Sequence, residues 1–158
     1  MAESTFMDNL AKYVPGFGSY RSEQKRRDDD AAVRKYLADR LQECKRDLQA
    51  FMTPLVDQAN FAAITQGEKL RESIENTQSK IRSAMEGYSS WFESAKIDEA
   101  KLKQVFDLDN DLVGVIDRLQ HEIGSLASTA PNFAEAQAVV TNLKDRFSRR
   151  KELLSRSF

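Results

Sequence analysis

Val33, Leu37, Leu41, Cys44, Leu48, Phe51 and Leu55 follow one another at spacings of 4, 4, 3, 4, 3 and 4. A helix with 3.6 residues per turn returns a side chain to the same side every third or fourth position, so this spacing draws one apolar seam along one helix face. Tyr36 and Met52 widen it. The alternation returns in Leu70, Ile74, Thr77 or Gln78, Ile81, Met85, Tyr88 and Phe92. It returns again in Leu102, Val105 or Phe106, Leu112, Ile116, Leu119, Ile123 and Leu126, and once more in Phe133, Ala136, Val140, Leu143, Phe147 and Leu154. Long helices do not leave such stripes in water, so each coiled-coil-like seam predicts a neighbour in this chain or in a second copy. The expected fold is all-α: an antiparallel up-and-down bundle of about four long helices, with a short N-terminal helix or flap. No stretch alternates at period two for long, and no β-hairpin signal occurs.

Three prolines and six glycines punctuate the chain. Residues 3–14 read as a short amphipathic helix with Phe6, Met7, Leu10, Tyr13 and Val14 on one face, stopped by Pro15, Gly16 and Gly18. That sets residues 1–22 apart as an amphipathic flap and linker, and residues 23–158 as a single bundle domain. Thr53-Pro54 predicts a helix that ends there or kinks sharply. Gly67 is a weak interruption worth about 1 kcal/mol. The stretch from Gly87 to Asp98 carries the only tryptophan, Trp91, and reads as the corner between two helices, Tyr88 and Phe92 on the seam and Trp91 off it. Asp98 caps the next helix, Ala127 to Pro131 form a loop, and Asn132 caps the last helix. Thr77 or Gln78, polar in mid-seam, is placed to set register.

A chain of 158 residues, 41% apolar and 31% charged, fits one domain with long helices that are wet on their outer faces. Its net charge of −1 argues against a general nucleic-acid binder. Cys44 is the single cysteine, sits on a seam as a small hydrophobe, and suits a reducing cytosol. No apolar run is long enough to span a membrane and no secretory signal opens the chain, so a cytoplasmic location is expected.

Chemistry-bearing patterns are few. Asp107, Asp109 and Asp111 match the first positions of a calcium loop, but Leu112 and Arg118 stand where it needs glycine and glutamate, so the segment reads as a solvated acidic face. His121 is the only histidine, with Arg118 three residues before it, which excludes paired Glu-x-x-His metal chemistry and leaves a helix-surface residue. Phosphate-binding glycine loops, nucleophile elbows and Cys pairs are missing. No catalytic, cofactor-binding or metal-ligating residues are expected, and no small-molecule substrate is evident. Lys25-Arg26-Arg27 followed by Asp28-Asp29-Asp30 reads as a helix start whose acids meet the dipole and the neighbouring cations. From Lys144 onward Lys144, Arg146, Arg149, Arg150, Lys151 and Arg156 outweigh Asp145 and Glu152, a local balance of +4. The interval from Glu93 to Asp117 carries −4. Pairing of the two patches, within the bundle or between protomers, is preferred over an external polyanion.

Two segments together resemble a family of small helical bacterial and archaeal proteins without an assigned activity. One is Val14-Pro15-Gly16-Phe17-Gly18-Ser19-Tyr20 followed by Glu23, Lys25, Arg26, Arg27 and Asp29. The other is Gly87-Tyr88-Ser89-Ser90-Trp91-Phe92, then Lys96-Ile97-Asp98-Glu99, Leu102, Phe106 and Asp107. Trp91 and Ser89-Ser90 depart from the phenylalanine and smaller residues of that pattern. The resemblance covers about a third of the chain, transfers no catalytic residues and implies the company of membrane-stress and band-7-type systems.

The leading expectation is a non-enzymatic interaction or scaffold protein that self-associates or docks a protein partner through Phe6, Leu10, Tyr13, Phe17, Tyr20 and Trp91. The alternative is a peripheral membrane or polyanion binder. It would use the flap together with Arg146, Arg149, Arg150 and Lys151. The polar face of the flap, Glu3, Asp8 and Lys12, is net negative and would not draw anionic lipid.

Overall fold

The computed structural model describes residues 10–20, 22–84 and 98–155. Phe6, Met85, Trp91 with its neighbours Tyr88 and Phe92, and Arg156 lie outside the described residues. Four long helices carry the fold: α1, Arg26–Asp57; α2, Phe61–Arg82; α3, Glu99–Gly124; and α4, Ala134–Ser155. A 3-10 turn, Glu23–Lys25, leads into α1, and no strand occurs among the described residues. The chain is an all-α bundle.

The seams meet inside it. Val33, Leu37, Leu41, Cys44, Leu48 and Leu55 of α1 are buried with Leu70, Ile74 and Ile81 of α2, Leu102 to Ile123 of the α3 seam, and Phe133 to Leu154 of the α4 seam. A leucine taken fully out of water contributes roughly 1.5–3 kcal/mol, so this shared interior is the main source of stability. Met52 rather than Phe51 takes the deep position near the end of α1, while Phe51 stands edge-on to Phe133 at 6.1 Å. Gln78 pins α2 against α1: its Nε2 donates to the Ala38 carbonyl at 2.9 Å and to Gln42 Oε1 at 3.1 Å.

Two readings of the punctuation change. Pro54 sits inside the last turn of α1, which runs on to Asp57. The break comes at residues 58–60, where Ala59 takes a left-handed φ of 53° and Asn60 Oδ1 caps α2 at Ala63 N. Gly67 is no mere interruption. A methyl group there would overlap Met52 Sδ and lie 3.4 Å from Phe133 Cζ, so the glycine lets α1, α2 and the start of α4 close on one another. The caps hold as expected: Asp98 accepts from Ala100 N at 2.9 Å, and Asn132 from Ala134 N at 2.9 Å.

Directions alternate along the chain, yet the neighbours are not all antiparallel. Arg40 meets Asp117 and, farther along both helices, Asp47 meets Gln120, so α1 and α3 run the same way, while Arg146–Asp111 and Arg150–Asp109 set α4 against α3. Gln137 and Lys144 both reach Ser73, and farther on Lys151 shares a cleft with Lys80, so α2 and α4 also run the same way. The bundle is thus two antiparallel hairpins laid side by side. The flap joins the same interior. Leu10, Val14 and Tyr20 are buried, and residues 10–20 lie as a strap along the α1–α3 side.

Candidate functional site

The strap is held by charge. Asp29, in the first turn of α1, accepts from Gly18 N through Oδ1 at 2.7 Å and from Tyr20 N through Oδ2 at 2.9 Å. Arg26 Nε donates to the Tyr20 carbonyl at 2.8 Å. Together they grip a backbone that turns through left-handed φ at Gly16 (78°), Ser19 (74°) and Tyr20 (63°). A non-glycine residue in that region costs on the order of 1–2 kcal/mol, which the clamp offsets with two charge-assisted hydrogen bonds and a third from arginine. Gly18 is needed for another reason: a Cβ there would lie 3.0 Å from Asp29 Oδ1.

Beyond the clamp, the Tyr20 hydroxyl enters the core. It donates to Asp109 Oδ2 of α3 and accepts from Arg150 Nη2 of α4 at 3.1 Å. Arg150 Nε donates to Asp109 Oδ1 at 2.6 Å, and its Nη1 lies 2.8 Å from Asp30 Oδ1 of α1, an ion contact outside hydrogen-bond alignment. Asp30 is shared with Arg34, whose Nε donates to Oδ2 at 2.8 Å and whose Nη1 reaches the Ile81 and Arg82 carbonyls at the end of α2. Tyr20, Arg26, Asp30, Asp109 and Arg150 are all 0% exposed. Asp29, Asp30 and Asp109 balance Arg26, Arg34 and Arg150, so the enclosed cluster is neutral overall. Phe17 and Phe106 pack around the Tyr20 ring, with centroids 5.0 and 5.9 Å from it.

Burial pushes the Tyr20 hydroxyl well above its ordinary pKa, and the Asp109 charge adds to the effect while Arg150 opposes it. Asp109 itself is raised by burial, against the pull of Arg150 and the Tyr20 hydrogen bond. The Tyr20 hydroxyl therefore keeps its proton. The cluster's chemistry is that of a lock joining strap, α1, α3, α4 and the end of α2.

Several expected site residues move as a result. Leu10 and Tyr20 are buried in the strap, so they offer no surface to a partner. Phe17 is half-buried against Phe106, and Tyr13 remains 45% exposed beside Tyr36. Arg150 is a core residue. Exclusion from water, with two carboxylates around it, removes it from any polyanion surface. Arg146 is bound to Asp111 at 2.8 Å and Arg149 to Asp145 at 2.9 Å, whereas Lys151 is exposed. The acidic patch on α3 and the basic one on α4 thus meet within the chain. Asp107, Asp109 and Asp111 lie on a continuous helix, and Asp109 turns inward, so the solvated acidic face expected there is split by a buried acid. Likewise Asp29, Asp30 and Arg26, expected as a helix start whose acids meet the dipole and the neighbouring cations, are buried in the core. His121 is exposed on α3.

The signal for this cluster lay in the seams. Asp109 fills the gap between Phe106 and Leu112, and Arg150 fills the gap between Phe147 and Leu154. Asp30 extends the α1 seam one step before Val33. Three charged residues at core positions, of both signs on separate helices, mark a buried ionic contact.

Cys44 is buried and burial pushes its thiol up to about 12. No described helix is long and apolar enough to cross a membrane. No family model, curated protein or solved structure matches this chain.

Proposed function

We propose that this chain is a non-enzymatic helical interaction protein that works through protein–protein contacts, self-association included, with the α1–α2 corner as its contact point. The observation that carries the reading is the exposure of Val56 (62%) and Phe61 (70%) on either side of the tight turn at residues 58–60. The described residues of the four seams close within one chain, so these side chains are not the leftovers of an unfilled core. Large apolar groups grouped at a corner favour association, because water leaves them when a partner arrives. Two residues are far less than the roughly 800 Å² per partner of a standard interface, so the corner is an anchor within a larger, mostly polar surface. Tyr13, beside Pro15 and Tyr36, is the strap's own contribution to exposed aromatic surface.

The enclosure of Tyr20 and Asp109 supports the non-enzymatic reading, since a catalytic acid or base needs to reach a substrate proton. A polyanion surface on the last helix has weaker support, because Arg146, Arg149 and Arg150 are each held by a carboxylate. A buried, unreactive thiol accords with a reducing compartment.

Light scattering over a concentration series, together with affinity capture, compares the native chain with Phe61→Glu. Association or capture is expected in the native protein and lost in the variant, with helicity and unfolding midpoint unchanged. A native chain that stays monomeric and captures nothing, or capture that survives Phe61→Glu, overturns the proposal.

A further inference from the structure

At the strap end of the bundle, on the side away from the strap, α2 and α4 flank an open cleft of about 350 Å³ lined by Lys80, Ser83, Ala84, Phe147, Ser148 and Lys151. Among the described residues no carboxylate lines it. Its two ammonium groups are set apart from the other cations of α4. Lys144 donates to Ser73, and Arg146, Arg149 and Arg150 each have a carboxylate, whereas Lys80 and Lys151 have no ion pair among the described residues. Like charges that face one cavity repel each other, and an anion between them reverses the sign of the interaction.

The main opposing effect is the end of α2. Helix C-termini carry partial negative charge, which disfavours an anion beside Ser83 and Ala84. Arg34 removes much of that effect by donating to the Ile81 and Arg82 carbonyls at 3.2 and 2.7 Å. The Ser83 hydroxyl donates to the Ser79 carbonyl at 2.9 Å, which leaves Ser148, whose hydroxyl has no hydrogen bond among the described residues, as the side-chain O–H for a ligand.

We propose that this cleft binds a phosphate monoester, with the phosphate between Lys80 and Lys151 and accepting from Ser148. Two lysines neutralise a phosphate dianion but leave a carboxylate ligand overcompensated, and lysine binds phosphate as a point charge without demanding a planar fork. Phe147 and Ala84 provide the apolar wall for a small organic group. The volume lies at the lower end of the range for small-molecule sites, roughly 300–1,000 Å³, which suits a phosphate with a few carbons attached. The phosphate can belong to a soluble ester or to a phosphatidic acid headgroup presented at a lipid surface. This inference is independent of the contact assigned to Phe61.

Amide chemical-shift titration of the full chain with glycerol 3-phosphate, inorganic phosphate and acetate is the test, alongside sedimentation with vesicles with and without phosphatidic acid. The expected result is a saturable response at Ser83, Ala84, Ser148 and Lys151 to phosphate or its ester, or sedimentation that requires phosphatidic acid. Response to the soluble ester assigns the soluble source, and response only to vesicles assigns the lipid. Lys80→Gln with Lys151→Gln should weaken either by about tenfold or more while the unfolding midpoint stays in place. Equal binding of acetate, indifference to the double substitution, or no response in either arm overturns the proposal.

Discussion

Replacing Arg150 by methionine keeps most of the aliphatic bulk and removes the guanidinium at the centre of the lock. Asp30 would keep Arg34, whose Nε is 2.8 Å away, but Asp109 would be left in the interior with the Tyr20 hydroxyl as its main donor. Breaking a buried pair in this way costs about 3–5 kcal/mol, whereas an exposed arginine is worth within about 0.5 kcal/mol. With a urea slope of about 2 kcal/mol/M, the midpoint by circular dichroism should fall by about 1.5–2.5 M. The loss should also depend on pH. Burial already raises Asp109, and without Arg150 it rises further, so the native state holds a proton that the unfolded chain has released. Stability of Arg150→Met therefore falls as pH rises through the raised native value, and its deficit is larger at neutral pH than near pH 4, close to the ordinary carboxylate value. Adding Asp109→Leu removes the stranded charge and should recover part of the loss, a coupling of about 1–3 kcal/mol. Coincident urea curves for the native chain and Arg150→Met, at neutral pH, would refute a buried ionic lock.

Gly67→Ala should destabilise by about 1–2 kcal/mol in denaturant titration, since the overlap with Met52 outweighs the helix-propensity gain. Gly114→Ala has open space around its new methyl and should instead stabilise by about 0.5–1 kcal/mol; equal shifts in the two variants would contradict the close approach at Gly67. Cys44 should resist thiol-specific labelling in the folded protein at mildly alkaline pH and react on unfolding. Its native value of about 12 against 9.0 for a free thiol means stability is lost as pH rises above about 9. Rapid labelling of the folded chain would show that the seam around it is open.

The seams were legible because spacing alone decides which face of a helix is apolar, and the deep positions of α1 follow from it almost entirely. The exchange of Phe51 for Met52 was not, because it depends on Gly67 and Phe133, which reach α1 only once the bundle has formed. The charged core was missed for a related reason. Asp, Glu, Lys and Arg are rarely fully buried unless paired, so Asp30, Asp109 and Arg150 read as surface when each helix is taken alone. Apart from Arg34 beside Asp30, their partners lie on other elements, and no single periodicity can reveal a contact among three helices. The motif Val14 to Tyr20 with Arg26 and Asp29, conspicuous as a string, is now explained as strap and clamp. The glycines follow from a left-handed turn and the approach of a carboxylate, and the tyrosine from a hydroxyl shared by Asp109 and Arg150.

Tyr20 and Arg150 are 130 residues apart. A ribosome adding about 5–20 residues per second makes the tyrosine wait roughly 6–26 s for its arginine. Until then Asp30 has Arg34, and Asp109, made 89 residues after Tyr20, still lacks its arginine, so closing the strap early would strand that acid in a dry interior. Docking of residues 10–20 therefore waits on the arrival of α4, which makes it a seal set after the four helices are made. A chain that stops before Arg150 would keep residues 10–20 undocked, and protease sensitivity confined to that segment would distinguish it from a chain that includes α4.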